Sequence, residues 1–189
     1  MTHSATASKI RIPVELCTIF GTLLLLSGCG NSIHPYRVAG ESMLPLLRPG
    51  DRIFVVETDH ARSDLHDGDV IVLRRDNAVV IKRILALPGE TISGEHRKVF
   101  RNGKQLDEPY LAPATGEEIA RLATFLPRKV GAGEIFVMGD NRDLSLDSRM
   151  TEYGKVKLSD VVGKYTWTYW HATGQPNRSI SSSPSGVAH

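Results

Sequence analysis

The sequence predicts a mainly β protein in which antiparallel sheets form a compact core with a small β-rich insertion, preceded by an N-terminal apolar helix. Apolar runs of strand length recur at 51–56, 69–74 and 78–86. Turn signals at Asp67-Gly68 and Asp76-Asn77 separate these runs, and such short connections favour antiparallel pairing because parallel strands need long crossovers. A largely apolar stretch at 12–30 precedes all three runs.

Residues 12–30 have the length and character of a membrane anchor. As a helix they extend about 28 Å at about 1.5 Å per residue, enough to cross the hydrocarbon core of a bilayer. Lys9 and Arg11 precede the stretch, and the positive-inside tendency keeps such residues in the cytoplasm. If the stretch is an uncleaved single-pass anchor, the chain after residue 30 lies on the outer side of the membrane.

Two other interpretations of this stretch stay open. Glu15 shortens the clean apolar run to about thirteen residues, which is closer to the core of a signal peptide. Leu26-Ser-Gly-Cys29 is similar to a lipoprotein cleavage box, where removal of residues 1–28 leaves a lipidated Cys29. A buried core helix of a soluble protein is the least favoured interpretation.

Composition excludes several classes of function. Cys17 and Cys29 would lie about 18 Å apart along one helix, beyond the roughly 7 Å between Cα atoms that a disulfide spans. Because no cysteine follows residue 29, the exported part has neither a disulfide framework nor a cysteine nucleophile or metal-cysteine site. A formal net charge of +2, no basic run and 6% aromatic residues argue against nucleic acid as the main partner.

Ser42 lies in a segment rich in backbone-restricting residues, Val38-Ala-Gly-Glu-Ser-Met-Leu-Pro-Leu-Leu-Arg-Pro-Gly-Asp51. Its last three residues, Pro49-Gly50-Asp51, are a turn signal, and a strand-like run follows at once. A serine held in fixed geometry just before a strand is a candidate nucleophile. An ordinary turn serine fits the same pattern.

Lys82 lies inside an apolar, β-branched run, Asn77-Ala-Val-Val-Ile-Lys-Arg-Ile-Leu85. Strand alternation places Lys82 on one face with Val80 and Ile84. If that face is buried, desolvation can lower the pKa of the amine from about 10.4 to roughly 5–6, and a neutral amine is a general base for a serine hydroxyl. The run alone favours an edge-strand lysine whose amine reaches water.

A polar segment, Met138-Gly-Asp-Asn-Arg-Asp-Leu-Ser-Leu-Asp-Ser-Arg149, follows the strand-like run at 134–138. Its Gly139-Asp140-Asn141 predicts a turn directly after the strand. The density of Asp, Asn, Ser and Arg predicts a hydrogen-bonded polar network beside that turn.

Together the three segments resemble the bacterial type I signal peptidase family, membrane-anchored serine proteases with a Ser/Lys dyad. The matching pieces are Gly-Glu-Ser-Met-Leu-Pro at 40–45, Gly-Asp-Val-Ile-Val at 68–72, Ile-Lys-Arg-Ile at 81–84 with Leu-Pro-Gly-Glu at 87–90, and Gly-Asp-Asn-Arg-x-x-Ser-x-Asp-Ser-Arg at 139–149. They occur in the family's order, and the last is long and specific. The resemblance implies a signal-peptidase-like catalytic core that removes signal peptides from exported preproteins, without a cofactor or metal.

The resemblance implies a mechanism centred on two side chains. Ser42 attacks the scissile carbonyl, and Lys82 takes the serine proton and later activates water. The backbone N–H of Ser42 is the first donor to the oxyanion. Some members supply a second donor from a serine two positions before the nucleophile; here that position is Gly40, so the second donor is undecided. Ile53 and Val80 are candidate walls for the pockets that take small substrate side chains.

Supporting roles are implied for five residues of the last motif. Ser145 matches a family residue that hydrogen-bonds the lysine and orients its amine. Asp147 and Arg149 match positions that pair as a structural salt bridge, and we expect Asp140 and Asn141 to support the turn. Histidines are the obvious rival bases, but all seven lie in tails, polar loops or element ends, without a recognisable triad setting or metal-ligand spacing.

The expected organisation is a cytoplasmic N-terminus at 1–11, the membrane anchor (or lipoprotein-type signal) at 12–30, a catalytic core at 31–90 and 134–170, a small insertion at 91–133 and a disordered tail at 171–189. Residues 31–39 are expected to be a short connector. In the insertion, Asn102-Gly103 predicts a hairpin, residues 107–111 resemble a family element, and residues 115–126 fit a helix or a loop. Residues 156–170 predict a last strand region, whose aromatic side chains we expect in the core rather than at a membrane interface.

The implied partners are preprotein signal peptides, membrane lipid and, by implication, the export machinery. The implied location is the cytoplasmic membrane, with the catalytic domain on its outer (periplasmic or extracellular) face. Two alternatives are a specialised peptidase for a narrow client such as a pilin, and a catalytically silent peptide-binding lipoprotein. A self-cleaving repressor shares the Ser/Lys chemistry but would need a DNA-binding domain where residues 1–30 are apolar.

Overall fold

The computed structural model describes residues 32–57, 64–76, 78–111 and 124–172, which form two antiparallel sheets. The predicted anchor at 12–30 and most of the predicted tail fall outside these ranges. No helix within them is long and apolar enough to cross a bilayer. The mainly β, antiparallel fold class predicted from the sequence is confirmed for the described part of the chain.

The strands are short and follow one another closely. Along the chain they are β1 (Ser32–Arg37), β2 (Arg52–Glu57), β3 (Val70–Arg75), β4 (Ala78–Ala86), β5 (Thr91–Glu95), β6 (Lys98–Arg101), β7 (Lys104–Gln105), β8 (Phe125–Lys129), β9 (Glu134–Met138), β10 (Val156–Lys157) and β11 (Val161–Trp170). The larger sheet has the order β1-β2-β11-β3-β4-β9-β10, and the smaller sheet has the order β7-β6-β5-β8.

Most predicted strands agree with the observed ones within a residue. The runs predicted at 78–86 and 134–138 coincide with β4 and β9, and those at 51–56 and 69–74 are each shifted by one residue. The hairpin predicted at Asn102-Gly103 is confirmed, since both residues have the positive φ values, 52° and 79°, that such a turn requires. The predicted region at 156–170 is divided by a 3₁₀ turn at Leu158–Asp160 into β10 and β11.

Three strands were missed: β5 (Thr91–Glu95), to which sequence analysis assigned no element, and two strands that carry a proline. The expected connector at 31–39 contains β1, with Pro35, and the ambiguous segment at 115–126 runs into β8, with Pro127. Both strands lie at a sheet edge, where a missing N–H leaves no gap in a ladder. At Pro127 the pairing of β8 with β5 also shifts register, as at a β-bulge.

Three of the four aromatic residues of β11 are exposed, so the expectation that they pack in the core was wrong for Trp167, Tyr169 and Trp170. Tyr165 pairs with Val55 and packs against the core, but a register shift follows and Trp167 pairs with Phe54 on the opposite face. A bulge changes the phase of strand alternation and therefore turns the following side chains outward. Trp167 and Trp170 are 46% and 58% exposed, and the ring centroids of Phe54 and Tyr169 lie 4.4 Å apart.

The smaller sheet packs onto the larger one through a shared apolar cluster. Strands β4 and β9 contribute Leu85, Phe136 and Met138, and the smaller sheet contributes Ile92 and Phe125. The rings of Phe125 and Phe136 stack with their centroids 5.4 Å apart. This cluster fixes the insertion beside β9, next to the start of the polar segment at 139–149.

Candidate active site

The structure brings Ser42 and Lys82 into direct contact although they are forty residues apart. Lys82 Nζ donates a hydrogen bond to Ser42 Oγ over 2.9 Å. Ser42 is partly buried, whereas Lys82 is only 4% exposed. A hydroxyl and an amine at this distance can exchange a proton without a bridging group.

The loop that carries Ser42 is closed by its own backbone. Val38 N–H donates to Asp51 O over 2.8 Å, and Gly50 N–H donates to Val38 O over 2.7 Å. Gly50 has a φ of 94°, a conformation that favours glycine. Inside the loop, Met43 and Leu47 are fully buried in the core beside β2 and β3. Ser42 is therefore fixed by the burial of its neighbour Met43 and by the closure of the loop.

The buried carboxylate of Asp51 also closes this loop, through hydrogen bonds to backbone N–H groups. Its Oδ2 accepts from Arg48 N–H over 2.9 Å, and its Oδ1 accepts from Ala172 N–H over 3.0 Å. His171 also lies 3.5 Å from this carboxylate. The first two residues of the expected tail are therefore held against the loop that carries Ser42.

Lys82 lies on a face of β4 that is buried. Val80 and Ile84, its predicted neighbours on that face, both belong to the core cluster between β3, β4 and β9. Burial lowers the pKa of Lys82; Asp147 opposes this shift and Arg149 adds to it. The interpretation as an exposed edge-strand lysine is thus wrong, and the amine has the low-dielectric surroundings that favour its neutral form.

The turn after β9 holds the backbone of Ser42. Asn141 N–H donates to Ser42 O over 2.9 Å, and Asn141 Nδ2 donates to Glu41 O over 3.2 Å. Gly139 lies so close that a Cβ there would collide with Ser42 O and with the Ser145 side chain. Only glycine allows this approach of two backbone segments.

The other polar residues of the motif form a buried network around Gly139. Arg149 Nε donates to Asp147 Oδ1 over 2.8 Å, and Arg149 Nη2 donates to Asp147 Oδ2 over 3.0 Å. Gly139 N–H donates to Asp147 Oδ2 and to Ser145 Oγ over 3.0 and 3.1 Å. Ser145 Oγ accepts from Gly139 N–H, and the hydrogen bond to Lys82 that the resemblance implies is absent among the described residues.

Asp140 makes the second buried ion pair of the site. Arg83 Nε and Nη2 donate to its two carboxylate oxygens over 2.8 and 2.6 Å. Burial raises the pKa of Asp140, and the hydrogen bonds from Arg83 counteract that rise. Arg83 follows Lys82 in β4, so the pair ties the strand of the lysine to the turn that contacts Ser42.

A cleft of about 190 Å³ opens over Ser42 and Lys82. Its walls come from the end of β1, the segment 38–43 and the first half of β4. Val80 lines it, as the sequence suggested, but Ile53 does not, because it is fully buried in the core. The cleft is narrow and apolar beside the serine, and so suits small side chains.

Sequence analysis gave no role to several residues of the site. Arg83 was quoted only as part of a motif, and Glu108 and Tyr110 only as part of a family element. Arg128, in the missed strand β8, donates to the carbonyl oxygens of Ser148 and Arg149 over 3.0 Å each. Only for Arg83 did the sequence offer a signal, namely charged residues flanked by apolar strand residues in Ile81-Lys82-Arg83-Ile84.

Among the described histidines, His171 contacts the Asp51 carboxylate behind the Ser42 loop, and none lines the cleft over Ser42 and Lys82. His34, His66 and His96 have mostly exposed side chains, and His60 falls outside the described ranges. Within those ranges no group of three or more His, Cys, Asp or Glu side chains could hold a metal ion.

Comparison with known proteins gives consistent matches. The family model described as "Signal peptidase, peptidase S26" matches residues 13–170. Signal peptidase I of Bacillus amyloliquefaciens is 36% identical over 144 residues, which are 72% of this chain and 74% of the relative. Signal peptidase I of Bacillus licheniformis is 40% identical over 145 residues, covering 72% and 76%. A crystal structure of a signal peptidase I from Enterococcus faecalis is 32% identical and covers 55% of this chain and 97% of that chain, with a TM-score of 0.44.

These matches, with the antiparallel fold, define the class of protein as a serine endopeptidase. More narrowly, the chain belongs to the type I signal peptidase family, peptidase family S26.

Proposed function

We propose that this protein is a membrane-bound serine endopeptidase that removes signal peptides from exported preproteins, with Ser42 as nucleophile and Lys82 as general base. The observation that carries the proposal is the 2.9 Å contact between Ser42 Oγ and the buried Lys82 amine. Family membership supports the reaction class, and the contact supports the assignment of roles.

The proposed chemistry is acyl transfer in two stages. Lys82, neutral, accepts the hydroxyl proton while Ser42 Oγ bonds to the scissile carbonyl carbon. Collapse of the tetrahedral intermediate breaks the C–N bond, and the lysine proton passes to the leaving amine. A water molecule then attacks the ester, giving its proton to Lys82, and the acid product leaves as the proton returns to Ser42. Because burial already favours the neutral form of Lys82, the proposed mechanism includes no second side chain that deprotonates it.

The oxyanion needs donors where its charge develops. Ser42 N–H is the first, and each good donor contributes about 3–4 kcal/mol to the transition state. At Gly40 a side chain would meet no atom within 4 Å, so the position faces open space. Residue 40 therefore supplies no side-chain donor, and we assign only the Ser42 N–H to the oxyanion.

The sheet offers an edge for an extended substrate. Strand β4 pairs with β3 along its length, but it pairs with β9 only from Arg83 onward. The backbone of residues 78–82 on the cleft side is therefore open to a substrate strand, with Val80 and Lys82 beside it. Strand addition places a peptide in fixed register, so its scissile carbonyl can reach Ser42.

Membrane attachment is part of the same proposal. The apolar stretch at 12–30 is the anchor, and Ser42 follows it by only about a dozen residues. A signal peptide lying in the membrane would then meet the cleft near the lipid surface. The expected partners are preprotein signal peptides, membrane lipid and the export machinery, and the catalytic domain comprises residues 31–90 and 134–170 with the insertion 91–133.

Cleavage of a model preprotein in detergent micelles tests the proposal. Wild type, Ser42→Ala and Lys82→Met are compared, with Lys104→Met as control because Lys104 is an exposed lysine of β7. We expect both site variants to lose at least about 10³-fold in turnover, as removal of a nucleophile or base does in related serine enzymes. Substantial turnover in Lys82→Met would rule out lysine as the base, and turnover in Ser42→Ala would rule out the serine.

The breadth of the substrate set needs a second measurement. A panel of signal sequences from unrelated exported proteins distinguishes a general signal peptidase from a processing enzyme with a narrow client. Covalent labelling by a serine-reactive lactam separates both from a silent peptide-binding protein, which would show no acylation at Ser42.

A further inference from the structure

A closed ring of buried contacts links the loop after β7 to the turn after β9. Arg142 donates to the carboxylate of Glu108, with 3.4 Å between Nη1 and Oε2 and a shorter contact from Nη2. Tyr110 Oη donates to Glu108 Oε1 over 2.7 Å. The guanidinium of Arg83 lies over the Tyr110 ring, 3.9 Å from its centroid, and also pairs with Asp140.

The ring is also hydrogen-bonded to the backbone of the turn at 139–141, which contacts Ser42. Arg142 Nε donates to Gly139 O over 3.0 Å, and Arg142 N–H donates to Asp140 O over 3.1 Å. Asn141, between Asp140 and Arg142, donates its N–H to Ser42 O. A shift of the turn at 139–141 must therefore move the backbone of Ser42, and with it the hydroxyl.

The charges of the ring are balanced and shielded from water. Two guanidinium groups, Arg83 and Arg142, face two carboxylates, Asp140 and Glu108. The side chains of Arg142 and Glu108 are each 7% exposed, and Asp140 is 2% exposed. Buried ion pairs of this kind contribute little net stability compared with apolar packing, but they fix the relative position of the segments that carry them. Removal of one member leaves a buried charge that pulls its neighbours into new positions.

We propose that Glu108 and Tyr110 are positioning residues for peptide cleavage. Through Arg142 and Arg83 they hold the turn at 139–141, and thereby keep Ser42 Oγ at the distance from which Lys82 takes its proton. The inference rests on the proposed roles of Ser42 and Lys82. Neither Glu108 nor Tyr110 lines the cleft over Ser42 and Lys82, so we class both as positioning residues and not as catalytic residues.

The test measures kcat and KM of the full chain in detergent micelles on one fluorogenic signal-sequence peptide. The variants are Glu108→Gln, which keeps the shape and removes the charge, and Tyr110→Leu, which removes the ring below Arg83. Glu95→Gln is the matched control, an exposed carboxylate on β5 of the same small sheet. Active molecules are counted by acylation with a serine-reactive lactam, so that a partly unfolded sample does not imitate slow chemistry.

We expect kcat per active molecule to fall about tenfold in each variant, since displacement of a reacting group by a fraction of an ångström is costly, while KM stays within about twofold. The double variant should lose less than the product of the two single losses, because both act through one turn. Glu95→Gln should match wild type.

A purely structural role predicts a different pattern. It lowers the melting temperature but leaves kcat per acylated molecule within about threefold of wild type, and that outcome in both variants would overturn the proposal. Tyr110→Phe, which keeps the ring and loses only the hydroxyl, serves if Tyr110→Leu does not fold; it must then lose more than threefold. Turnover by Ser42→Ala would instead contradict the proposed function, so the two failures are distinguishable.

Discussion

At the scale of single residues, the proposed mechanism depends on the protonation of Lys82. A general base must be neutral, so with Lys82 in that proposed role activity requires a pH above the pKa of its amine. Burial lowers that pKa, with Asp147 opposing the shift, and the active range therefore extends to lower pH than an ordinary lysine, with a pKa of about 10.4, would allow.

We expect kcat/KM to fall tenfold per pH unit on the acid side, with its midpoint well below about 10. The rate of Ser42 acylation by a lactam probe should follow the same profile, because it depends on the same proton transfer. A midpoint near the ordinary lysine value would show that the amine is solvated during catalysis, against the geometry of β4.

The same lowered pKa makes a prediction about stability. Between the folded and unfolded pKa values of Lys82 the unfolded chain binds more protons, so stability rises with pH across that window and protonation opposes folding below it. Lys82→Met removes this opposition. We expect its free energy of unfolding in urea to exceed that of wild type at pH 7, with a smaller difference near pH 10. Lys104→Met should differ little from wild type at either pH, and a Lys82→Met less stable than wild type at pH 7 would contradict the argument.

Gly139 is the second residue whose substitution has a definite expected result. A Cβ at this position would lie 2.6 Å from Ser145 Cβ and closer still to Ser145 Oγ and Ser42 O. Gly139→Ala must push these atoms apart, and a misplacement of about 1 Å can cost about 100-fold in rate. We therefore expect kcat to fall by about that factor and the melting temperature to decrease. Turnover within about threefold of wild type would show that the two backbones need not be so close.

The two central side chains were singled out by the family resemblance, since their local patterns alone also fit an ordinary turn serine and an edge-strand lysine. Their surroundings were not predictable. Ser42 and Lys82 each lie in a short pattern with a chemical interpretation, a restrained turn and a lysine in an apolar strand. Glu108, Tyr110 and Arg128 lie in loops or edge strands, and they enter the site only through tertiary contacts. Nothing local in the sequence states which carbonyl or carboxylate such a residue will meet.

At the scale of elements, two of the three strands that sequence analysis missed, β1 and β8, share one physical cause. Proline cannot donate to a ladder, and a proline within an apolar run argues against a central strand. Strands β1 and β8 escape this restriction because each lies at an edge. The bulge in β11 caused a second error. Strict alternation places Trp167 on the same face as the partly buried Tyr165, but the register shift between them turns Trp167 outward.

The exposed face of β2 and β11 gives a prediction about lipid contact. Phe54, Trp167, Tyr169 and Trp170 form an aromatic surface on β2 and β11, and aromatic side chains favour the membrane interface. Trp167 and Trp170 are the two tryptophans of the protein, so intrinsic fluorescence reports this face alone.

We expect brominated lipids to quench the tryptophan fluorescence of the full chain in vesicles by more than half, with a blue-shifted emission relative to the urea-unfolded chain. Replacing either tryptophan by phenylalanine leaves a single fluorescent tryptophan. Comparing the quenching of the two variants shows which tryptophan lies deeper in the bilayer. Efficient quenching by iodide in water, with none by brominated lipid, would show that the aromatic face is turned away from the bilayer.

At the scale of the whole molecule, both sheets contribute residues that position the site. The larger sheet carries Lys82 and, through the loop after β1, Ser42. The smaller sheet contacts the polar segment at 139–149. Arg128 of this sheet donates hydrogen bonds to the carbonyl oxygens of Ser148 and Arg149. The insertion is therefore a part of the site's framework rather than an addition to it.

The attachment of this framework to the membrane is the last property that can be tested as a whole. The uncleaved-anchor interpretation keeps residues 12–30 in the bilayer, whereas the lipoprotein interpretation removes residues 1–28 and attaches lipid to Cys29. Under the first interpretation Cys29→Ser should leave membrane association, molecular mass and preprotein cleavage unchanged, because an apolar helix needs no acyl chain to stay inserted. Under the second, the intact mass of the wild-type protein would lack the first 28 residues, and Cys29→Ser would retain them. We expect the full-length mass for both, with equal kcat in micelles.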